Sequence, residues 1–272
     1  MDLDLSTLRQ PVLVAAFRGW NDAGQAATGV LLELMADHQC HDLLTLDESY
    51  YDLKQTRPVV DMVEGQRVVR WPQTQVLICR THQRDVVIVL GDEPNVRWRD
   101  FCSRVLDAAT MVGSDEIVVL GGLITDEPHS RSLPVMIETT HPELVWGLGA
   151  EESSYTGPTG ITGVLSMESA ARGLKVVSMW VSVPCYGPDE ECHKAILALA
   201  RRVSEVLGVD FDFARLERRA EEWERTIDAL ITEDEHLSGY VEALEKMRDQ
   251  SLEPTSGETL AAQIEEYLRE KP

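Results

Sequence analysis

Residues 12–34 read VLVAAFRGWNDAGQAATGVLLEL, and this stretch decides the fold class. The apolar run over residues 12–17 predicts a strand buried on both faces, and the apolar spacing that follows predicts a helix over residues 22–36. The turn between them contains Gly19 and Gly24. A strand, a glycine-containing turn and a helix in this order form many phosphate sites. The turn is therefore either a nucleotide site or the start of a capped helix.

The glycine spacing argues against the nucleotide site. A dinucleotide fingerprint needs G-x-G-x-x-G, whereas the glycines of residues 19–29 are five positions apart. A phosphate loop needs a lysine, and residues 1–53 contain none. Asn21 or Asp22 explains the turn more simply, because either side chain could accept the first free N–H groups of the helix. We predict a helix cap here and keep both residues as candidates for lining a cleft.

Strand-like and helical segments alternate as far as residue 209. The segment QRVVRWPQTQVLICR (66–80) predicts a hairpin whose first arm is confined by Pro72 to an edge or a strand end. The other predicted strands are HDLLTLD (41–47), VVIVLGDEP (86–94), EIVVLGGLI (116–124) and KVVSMWVSVP (175–184), and the other predicted helices cover 95–111 and 161–172. Continuous apolar strands need helices on both faces of the sheet. The alternation therefore predicts an α/β protein, a three-layer α/β/α sandwich with a mostly parallel mixed sheet.

The composition changes near residue 210, and we predict an α/β domain over 1–209 followed by an acidic helical extension over 210–272. The extension carries 18 acidic and 8 basic residues, a net charge of −10, and no strand-like run. Apolar residues recur there at helical spacing. They are Leu216, Trp223, Ile227, Leu230 and Ile231 on a first helix, Leu237, Tyr240, Val241, Leu244 and Met247 on a second, and Leu260, Ile264, Tyr267 and Leu268 on a third. Thr255 and Glu258 fit a capping box that opens the third helix.

The charge of the whole chain limits its partners. Its 272 residues include 25 basic and 47 acidic ones, a formal net charge of −22. Such a surface repels phosphate backbones and anionic lipids, so we expect neither nucleic acid nor a membrane as partner. No segment approaches the ~20 apolar residues of a membrane span, and the acidic N-terminus does not resemble a secretory signal. Five irregularly spaced cysteines indicate reduced thiols. These features predict a cytoplasmic protein.

The loop GGLITDEPHSRSLPV (121–135) carries the first group of candidate site residues. In open α/β sheets, ligands bind beyond the carboxyl ends of the strands. Asp126, His129 and Arg131 would supply a carboxylate, an imidazole and a guanidinium there, a set that could orient a water or hold an anion. The alternative is that Asp126 pairs with Arg131 inside a stiff connecting loop. The sequence places no nucleophile or second acid beside them, which favours the alternative.

The turn SYTGPTGITGVL (154–165) carries the last candidate, Thr159. Its donors resemble an oxyanion site, but Thr159 is also a natural N-cap for the helix that follows, and we favour the cap. The turns at Asn21, Asp126 and Thr159 could share one edge of the sheet and form one cleft.

Signals for metal or covalent chemistry are weak. His38, Cys40 and His41 lack the paired spacing of a zinc site. No G-x-S-x-G elbow supports a hydrolase serine. We therefore predict no catalytic residue, no metal and no cofactor.

Several segments, taken together in order, resemble the actinobacterial branch of the proteasome assembly chaperone family, whose members are similar to the second eukaryotic assembly chaperone. The match runs through most of residues 8–208. The segments that carry it are FRGWNDAGQAA (17–27), RVVRWP (67–72), VVIVLGDEPNVRWRDF (86–101), LGGLITDEPHSRSLPV (120–135), YTGPTGITGVL (155–165) and WVSVPCY (180–186). WERTIDALITEDEHLSGYVEALE (223–245) and GETLAAQIEEYL (257–268) also resemble the helical extension of that branch.

The resemblance implies a phosphorylase/hydrolase-like three-layer fold with a mixed sheet. It also implies a homo-oligomer, such as a trimer, and a chaperone role without established catalytic residues. Members that dock on proteasome rings often end in a hydrophobic residue, a tyrosine and any residue. This chain ends in LREKP, with Tyr267 five residues from the terminus, and so departs from that tail. The resemblance therefore implies that the protein binds other proteins. It gives less support to docking on a proteasome ring through the C-terminal residues.

Taken together, the sequence predicts a cytoplasmic, non-enzymatic oligomer that binds protein partners, with a proteasome-related protein as the expected partner. The alternative is an enzyme or small-molecule binder of the nucleoside phosphorylase or hydrolase type, which the fold class alone supports. It requires Asp126, His129 and Arg131 to converge with Asn21 and the turn at Thr159 around one enclosed cavity. A third alternative is that the helical extension only completes the oligomer.

Overall fold

The structure is a computed structural model that describes residues 4–139, 141, 149–151, 155–187 and 191–252. Nine strands and six helices lie within these ranges. The strands are β1 (Val12–Arg18), β2 (Gln39–Leu46), β3 (Val59–Val63), β4 (Gln66–Arg70), β5 (Thr74–Arg80), β6 (Asp85–Asp92), β7 (Glu116–Thr125), β8 (Val135–Thr139) and β9 (Lys175–Pro184). The helices are α1 (Ala26–Asp37), α2 (Trp98–Val112), α3 (Ile161–Ala171), α4 (His193–Leu207), α5 (Phe213–Glu233) and α6 (Glu235–Leu252).

A mixed sheet of seven strands lies at the centre, in the order β2-β5-β6-β1-β7-β9-β8. Its four middle strands, β6, β1, β7 and β9, run parallel to one another. The pairs β2–β5, β5–β6 and β8–β9 are antiparallel. The predicted mixed sheet is confirmed, with parallel pairing confined to the middle. The link between β5 and β6 explains one antiparallel pair, because it is too short for the crossover that parallel neighbours need.

Helices cover both faces of this sheet, as the apolar strands predict. Alternate residues of a strand point to opposite faces. Val12 and Val14 of β1 share a core with α1 and α4, whereas Leu13 and Ala15 share a core with α2 and α3. The predicted three-layer α/β/α sandwich is therefore confirmed.

Helices α5 and α6 lie outside the sandwich and bury only part of their predicted stripes. Leu216, Trp223 and Ile227 of α5 are buried in the same core as α4, and Val241 and Leu244 of α6 are buried as well. Other residues of the predicted stripes, Leu230, Tyr240 and Met247, are exposed. The third predicted helix lies outside the described residues. None of the described helices is long and apolar enough to cross a membrane.

The hairpin predicted over residues 66–80 is wrong. Strand β4 pairs with β3 across a turn at Glu64 and Gly65, whereas β5 pairs with β2 and β6. Proline cannot donate to a strand ladder, and Pro72 lies in the link where the chain leaves one sheet and enters the other. The apolar runs on either side of Pro72 therefore belong to different sheets.

The prediction of reduced thiols is wrong for one pair of cysteines. Cys40 and Cys79 form a disulfide, while Cys102, Cys185 and Cys192 are free. The two bonded residues face each other in the β2–β5 register. Sequence spacing cannot reveal this pair, because the sheet brings together residues 39 positions apart. Since disulfides are rare in the cytoplasm, the cysteines give no support to a cytoplasmic location.

Candidate functional site

The loops that carry the predicted site residues meet at one edge of the sheet. Strands β1 and β7 are parallel neighbours, so the chain leaves both at the same edge. The backbone N–H of Gly122 donates to the carbonyl of Asn21 at 2.9 Å, which links the turn after β1 to the end of β7. The contacts of each side chain decide whether these loops form a cleft.

Asp22 caps the start of α1, as predicted. Its Oδ1 accepts hydrogen bonds from the backbone N–H groups of Ala27 at 2.9 Å and Thr28 at 3.1 Å. Its Oδ2 accepts from the Thr28 hydroxyl at 2.5 Å. Burial raises the pKa of Asp22, although these hydrogen bonds oppose the shift. Both carboxylate oxygens of Asp22 therefore accept hydrogen bonds from the start of α1.

We expect Asp22→Ala to lower the free energy of unfolding by about 1–2 kcal/mol, because two N–H groups at the helix start lose their acceptor. Urea denaturation followed by circular dichroism measures the loss. Asp22→Asn is the matched control, since it keeps one acceptor oxygen, and we expect a smaller loss. Equal losses for the two variants would contradict the cap.

Glu93, which follows β6, holds the turns at Asn21 and Thr159 together. Its Oε1 accepts from the backbone N–H of Ile161 at 2.9 Å and from Asn21 Nδ2 at 3.5 Å. The cap predicted at Thr159 is therefore wrong, because Glu93 accepts the N–H at the start of α3. The Thr159 hydroxyl instead lies 3.4 Å from the carbonyl of Gly160 and its side chain is exposed.

Close packing fills the space between these two turns. A Cβ atom on Gly160 would lie 2.0 Å from Asn21 Nδ2 and 2.8 Å from Glu93 Oε1. Asn21 is buried, with 7% of its surface exposed. These residues form a packed junction of two loops.

Asp126 contacts a residue of the C-terminal helices. Its Oδ1 accepts from the Tyr240 hydroxyl at 2.9 Å, and the Cys185 thiol lies 3.5 Å from the same oxygen. Hydrogen bonding to Cys185 and Asp126 raises the pKa of Tyr240 above its ordinary value. Tyr240 thus projects from α6 and donates to the loop after β7.

His129 is buried beneath helix α5, with 2% of its surface exposed. Its backbone N–H donates to the Tyr186 hydroxyl at 2.6 Å, which leaves the hydroxyl proton to point at His129 Nδ1, 2.9 Å away. The Nε2 nitrogen then carries the ring proton and donates it to Asp228 Oδ1 at 3.0 Å. Burial raises the pKa of Tyr186 to about 12, so the hydroxyl keeps its proton at neutral pH. Both ring nitrogens of His129 are therefore satisfied.

Arg131 contacts helix α6. Its Nε and Nη2 atoms donate to the two oxygens of Asp249 at 2.8 Å each, in a bidentate pair. The Arg131 hydrogen bond lowers the pKa of Asp249 below its ordinary value of 3.8. The pair therefore contributes to stability above about pH 3.8 and is lost as the pH falls further. The alternative that Asp126 pairs with Arg131 is wrong.

We call this contact region the loop–helix clasp: Asp126, His129 and Arg131 on the loop after β7, with Asp228, Tyr240 and Asp249 on α5 and α6. Each loop residue has a separate helix partner. A shallow cavity of about 190 Å³ remains between the loop and α6, lined by Asp126, Glu127, Leu244, Met247, Arg248 and Ser251. Neither His129 nor Arg131 lines it. The clasp is a docking contact between two parts of the chain.

A second set of ion pairs holds α5 against α1. The buried Glu33 accepts from Arg215 Nε at 3.0 Å and Nη2 at 2.6 Å, and also from Arg219. Arg215 reaches Asp37 as well, at 2.7 Å. The clasp joins α5 to the loop after β7, and these pairs join it to α1, so α5 is fixed to the sandwich at more than one place.

The predicted site residues thus form two separate groups of contacts. Asn21, Asp22 and Thr159 lie in the turns around Glu93, and the loop residues of the clasp contact α5 and α6. Of two cavities among the described residues, neither contains both groups; the first, about 300 Å³, is lined by Thr45, Leu46, Asp47, Ser49, Tyr50, Arg97, Asp100 and Arg104, and the second is the cavity beside α6. The enzyme alternative requires these residues to converge, whereas Asp126, His129 and Arg131 pair with α5 and α6 and not with Asn21 or Thr159.

Sequence reasoning missed the partners of the predicted residues. Glu93 could have been found, because a carboxylate directly after a buried strand lies at the edge where sites form. Tyr186 and the acidic residues of α5 and α6 gave no local signal. Their role depends on how the helices dock, which spacing along the chain does not show.

The fold and the clasp define an α/β/α sandwich whose strand-edge loop is bound by its own C-terminal helices. The chain belongs to the PAC2 family, whose model matches residues 16–231. The resemblance to actinobacterial members of the proteasome assembly chaperone family is confirmed.

Two solved structures of relatives are similar in sequence as well as in fold. A proteasome-assembly chaperone homologue from Mycobacterium tuberculosis is 40% identical, with a TM-score of 0.77. A PAC2 family protein from Streptomyces avermitilis is 38% identical, with a TM-score of 0.79. In each case the match covers 85% of this chain and 99% of the other.

More distant structures share the fold. A Pyrococcus furiosus archaeal proteasome activator is 19% identical, with a TM-score of 0.67, over 82% of this chain and 94% of its own. At this identity the likeness shows the fold alone. No curated protein matches the sequence significantly.

Proposed function

We propose that the chain is a non-enzymatic, homo-oligomeric assembly chaperone of the cytoplasm that binds proteasome subunits. The observation that carries the proposal is the 40% identity, over 85% of the chain, to a proteasome-assembly chaperone homologue. The geometry supports it, because Asp126, His129 and Arg131 are all engaged by helices α5 and α6. Side chains that hold the protein's own helices are not free to bind a substrate.

In this proposal the α/β domain (1–209) is a scaffold, and helices α5 and α6 of the extension (210–272) cover its strand-edge loops. The strong negative charge suits a partner with a basic surface, because complementary charge raises association rates and limits wrong contacts. A trimer is the oligomer that the family resemblance favours. The rival enzyme function has no observation in its favour among the described residues.

The test uses purified α- and β-type subunits of an actinobacterial proteasome, mixed with the full chain. We expect a complex with the subunits on native gels at low salt, and faster appearance of the assembled core particle. An unrelated acidic protein of similar size is the control, because it reproduces a general charge effect. Absence of both the complex and the acceleration would refute the proposal.

A further inference from the structure

The disulfide between Cys40 and Cys79 is a covalent link between the edge strand β2 and the interior of the sheet. Strand β2 is the first in the sheet order, and its partner among the described strands is β5. Cys79 is completely buried in the core shared with α1 and α4, whereas Cys40 is half-buried and packs against the same core. The bond is therefore more open to solvent on the Cys40 side.

The bond fastens a part of β2 that has few other anchors. A register shift between Asp42 and Leu44 interrupts the ladder with β5. After this shift, Leu46 is buried, whereas before it residues 39–42 are all exposed or half-buried. A segment with few buried apolar contacts opens easily, and a cross-link limits that opening. The first half of β2 therefore depends on the disulfide.

The residues directly before β2 contact the start of the helical extension. His38 Nε2 donates to the carbonyl of Asp210 at 2.8 Å. Asp37, the last residue of α1, accepts from the backbone N–H of Asp212 at 2.8 Å and from Arg215 Nη2 at 2.7 Å. Because His38 is the residue between α1 and β2, its position depends on both. Opening of the first half of β2 would loosen His38 and its contact with the extension.

We propose that Cys40 and Cys79 form a redox-reversible pair, and that its reduction loosens both the first half of β2 and the start of the helical extension. The inference rests on the cytoplasmic location in the proposed function. A disulfide in a reducing compartment is usually transient, catalytic or redox-sensing. Because Cys79 is completely buried, the pair does not present two reactive sulfurs to a protein substrate. Redox sensing is the role that suits this burial.

The reaction is a thiol–disulfide exchange with a small thiol such as glutathione. A glutathione thiolate attacks the Cys40 sulfur, forms a mixed disulfide there and releases Cys79 as a thiolate, which takes up a proton. A second glutathione thiolate attacks the glutathione sulfur of the mixed disulfide, which forms oxidised glutathione and releases Cys40, which is also protonated. Glutathione thus supplies the electron pair and the protons, and oxidised glutathione reverses both steps.

The test incubates the purified full chain in glutathione buffers of different oxidation state, blocks the free thiols and locates them by peptide mass spectrometry. We expect the thiols of Cys40 and Cys79 to appear together in reduced glutathione and to disappear together in oxidised glutathione. Hydrogen exchange in the reduced protein should be at least about ten-fold faster in residues 39–42 and 210–215, and unchanged in β7.

Two variants identify the sulfurs that cause the change in hydrogen exchange. Cys40→Ser removes the pair, so we expect it to show the exchange pattern of the reduced protein in every buffer. Cys185→Ser is the matched control, because it removes an exposed free thiol outside the pair, and it should respond to glutathione as the wild type does. If Cys40→Ser does not fold, comparison of the oxidised and reduced forms of Cys185→Ser gives the same information.

A pair that stays oxidised in reduced glutathione would overturn the inference, since resistance to the glutathione pool is typical of a structural disulfide. A pair that does not form in oxidised glutathione would overturn it too. Reversible reduction without faster exchange in residues 210–215 would also contradict it, because the bond would then not act on the extension. None of these outcomes depends on proteasome-subunit binding, so this inference and the proposed function fail in separate experiments.

Discussion

Trp223→Ala is expected to lower the free energy of unfolding by about 4 kcal/mol, because it removes the largest side chain that α5 buries against the sandwich. Trp223 is 8% exposed and belongs to the core that includes α1 and α4. Urea denaturation measures the loss. Protection of α5 from hydrogen exchange should fall with it, since the helix would lose its main apolar contact.

Trp223→Phe separates packing from hydrogen bonding. The Nε1 atom of Trp223 is buried and has no hydrogen-bond partner among the described residues. Phenylalanine keeps most of the ring and removes an unsatisfied donor, so we expect a loss of about 1 kcal/mol or less. Leu230→Ala, at a position 45% exposed on the same helix, is the control and should change stability little. If the alanine variants of Trp223 and Leu230 behave alike, α5 does not pack on the sandwich as described.

The centre of the fold could be predicted because it follows from local patterns. The run of six apolar residues from Val12 forms β1, and all six are buried. Asp22 follows β1 and caps α1, although a short turn at Ala23–Gln25 delays the helix to Ala26. Both features depend on residues that are close in sequence, where hydrophobic period and capping chemistry are reliable guides.

The edges of the fold could not be predicted in the same way. Strand β8, Val135–Thr139, has two buried residues among half-buried and exposed ones, and its position is fixed by pairing with β9. The partner strand predicted for the run from Gln66 to Arg70 is wrong. The proline that follows this run marks a break in the strand but does not show which strand pairs with it. Strand pairing is a tertiary property.

The candidate site was found only in part for a related reason. Asp126, His129 and Arg131 were recognised as a polar group at the correct edge of the sheet. Their partners are far away in sequence: 99 residues separate His129 from Asp228, and 118 separate Arg131 from Asp249. With 47 acidic residues in the chain, nothing in the sequence distinguishes these two aspartates from the others.

His129→Ala is expected to lower the free energy of unfolding by about 3 kcal/mol. The ring is buried, so its removal leaves a cavity, and the hydroxyl of the half-buried Tyr186 loses a hydrogen-bond partner. Asp228→Ala removes only the partner of the other ring nitrogen, Nε2, and the Asp228 side chain is 63% exposed. Water can replace that partner, so we expect a loss of under about 1 kcal/mol. Urea denaturation of both variants gives the comparison.

The difference between these two variants tests the clasp itself. If His129 fixes the loop beneath α5, its alanine variant should also increase hydrogen exchange in α5, whereas Asp228→Ala should leave the rest of that helix protected. Equal and small losses from both variants would mean that the loop and the helix touch without stabilising each other. In that case little free energy would be needed to move α5 and α6 away from the strand edge. The loop residues Asp126, His129 and Arg131 would then become available to a ligand.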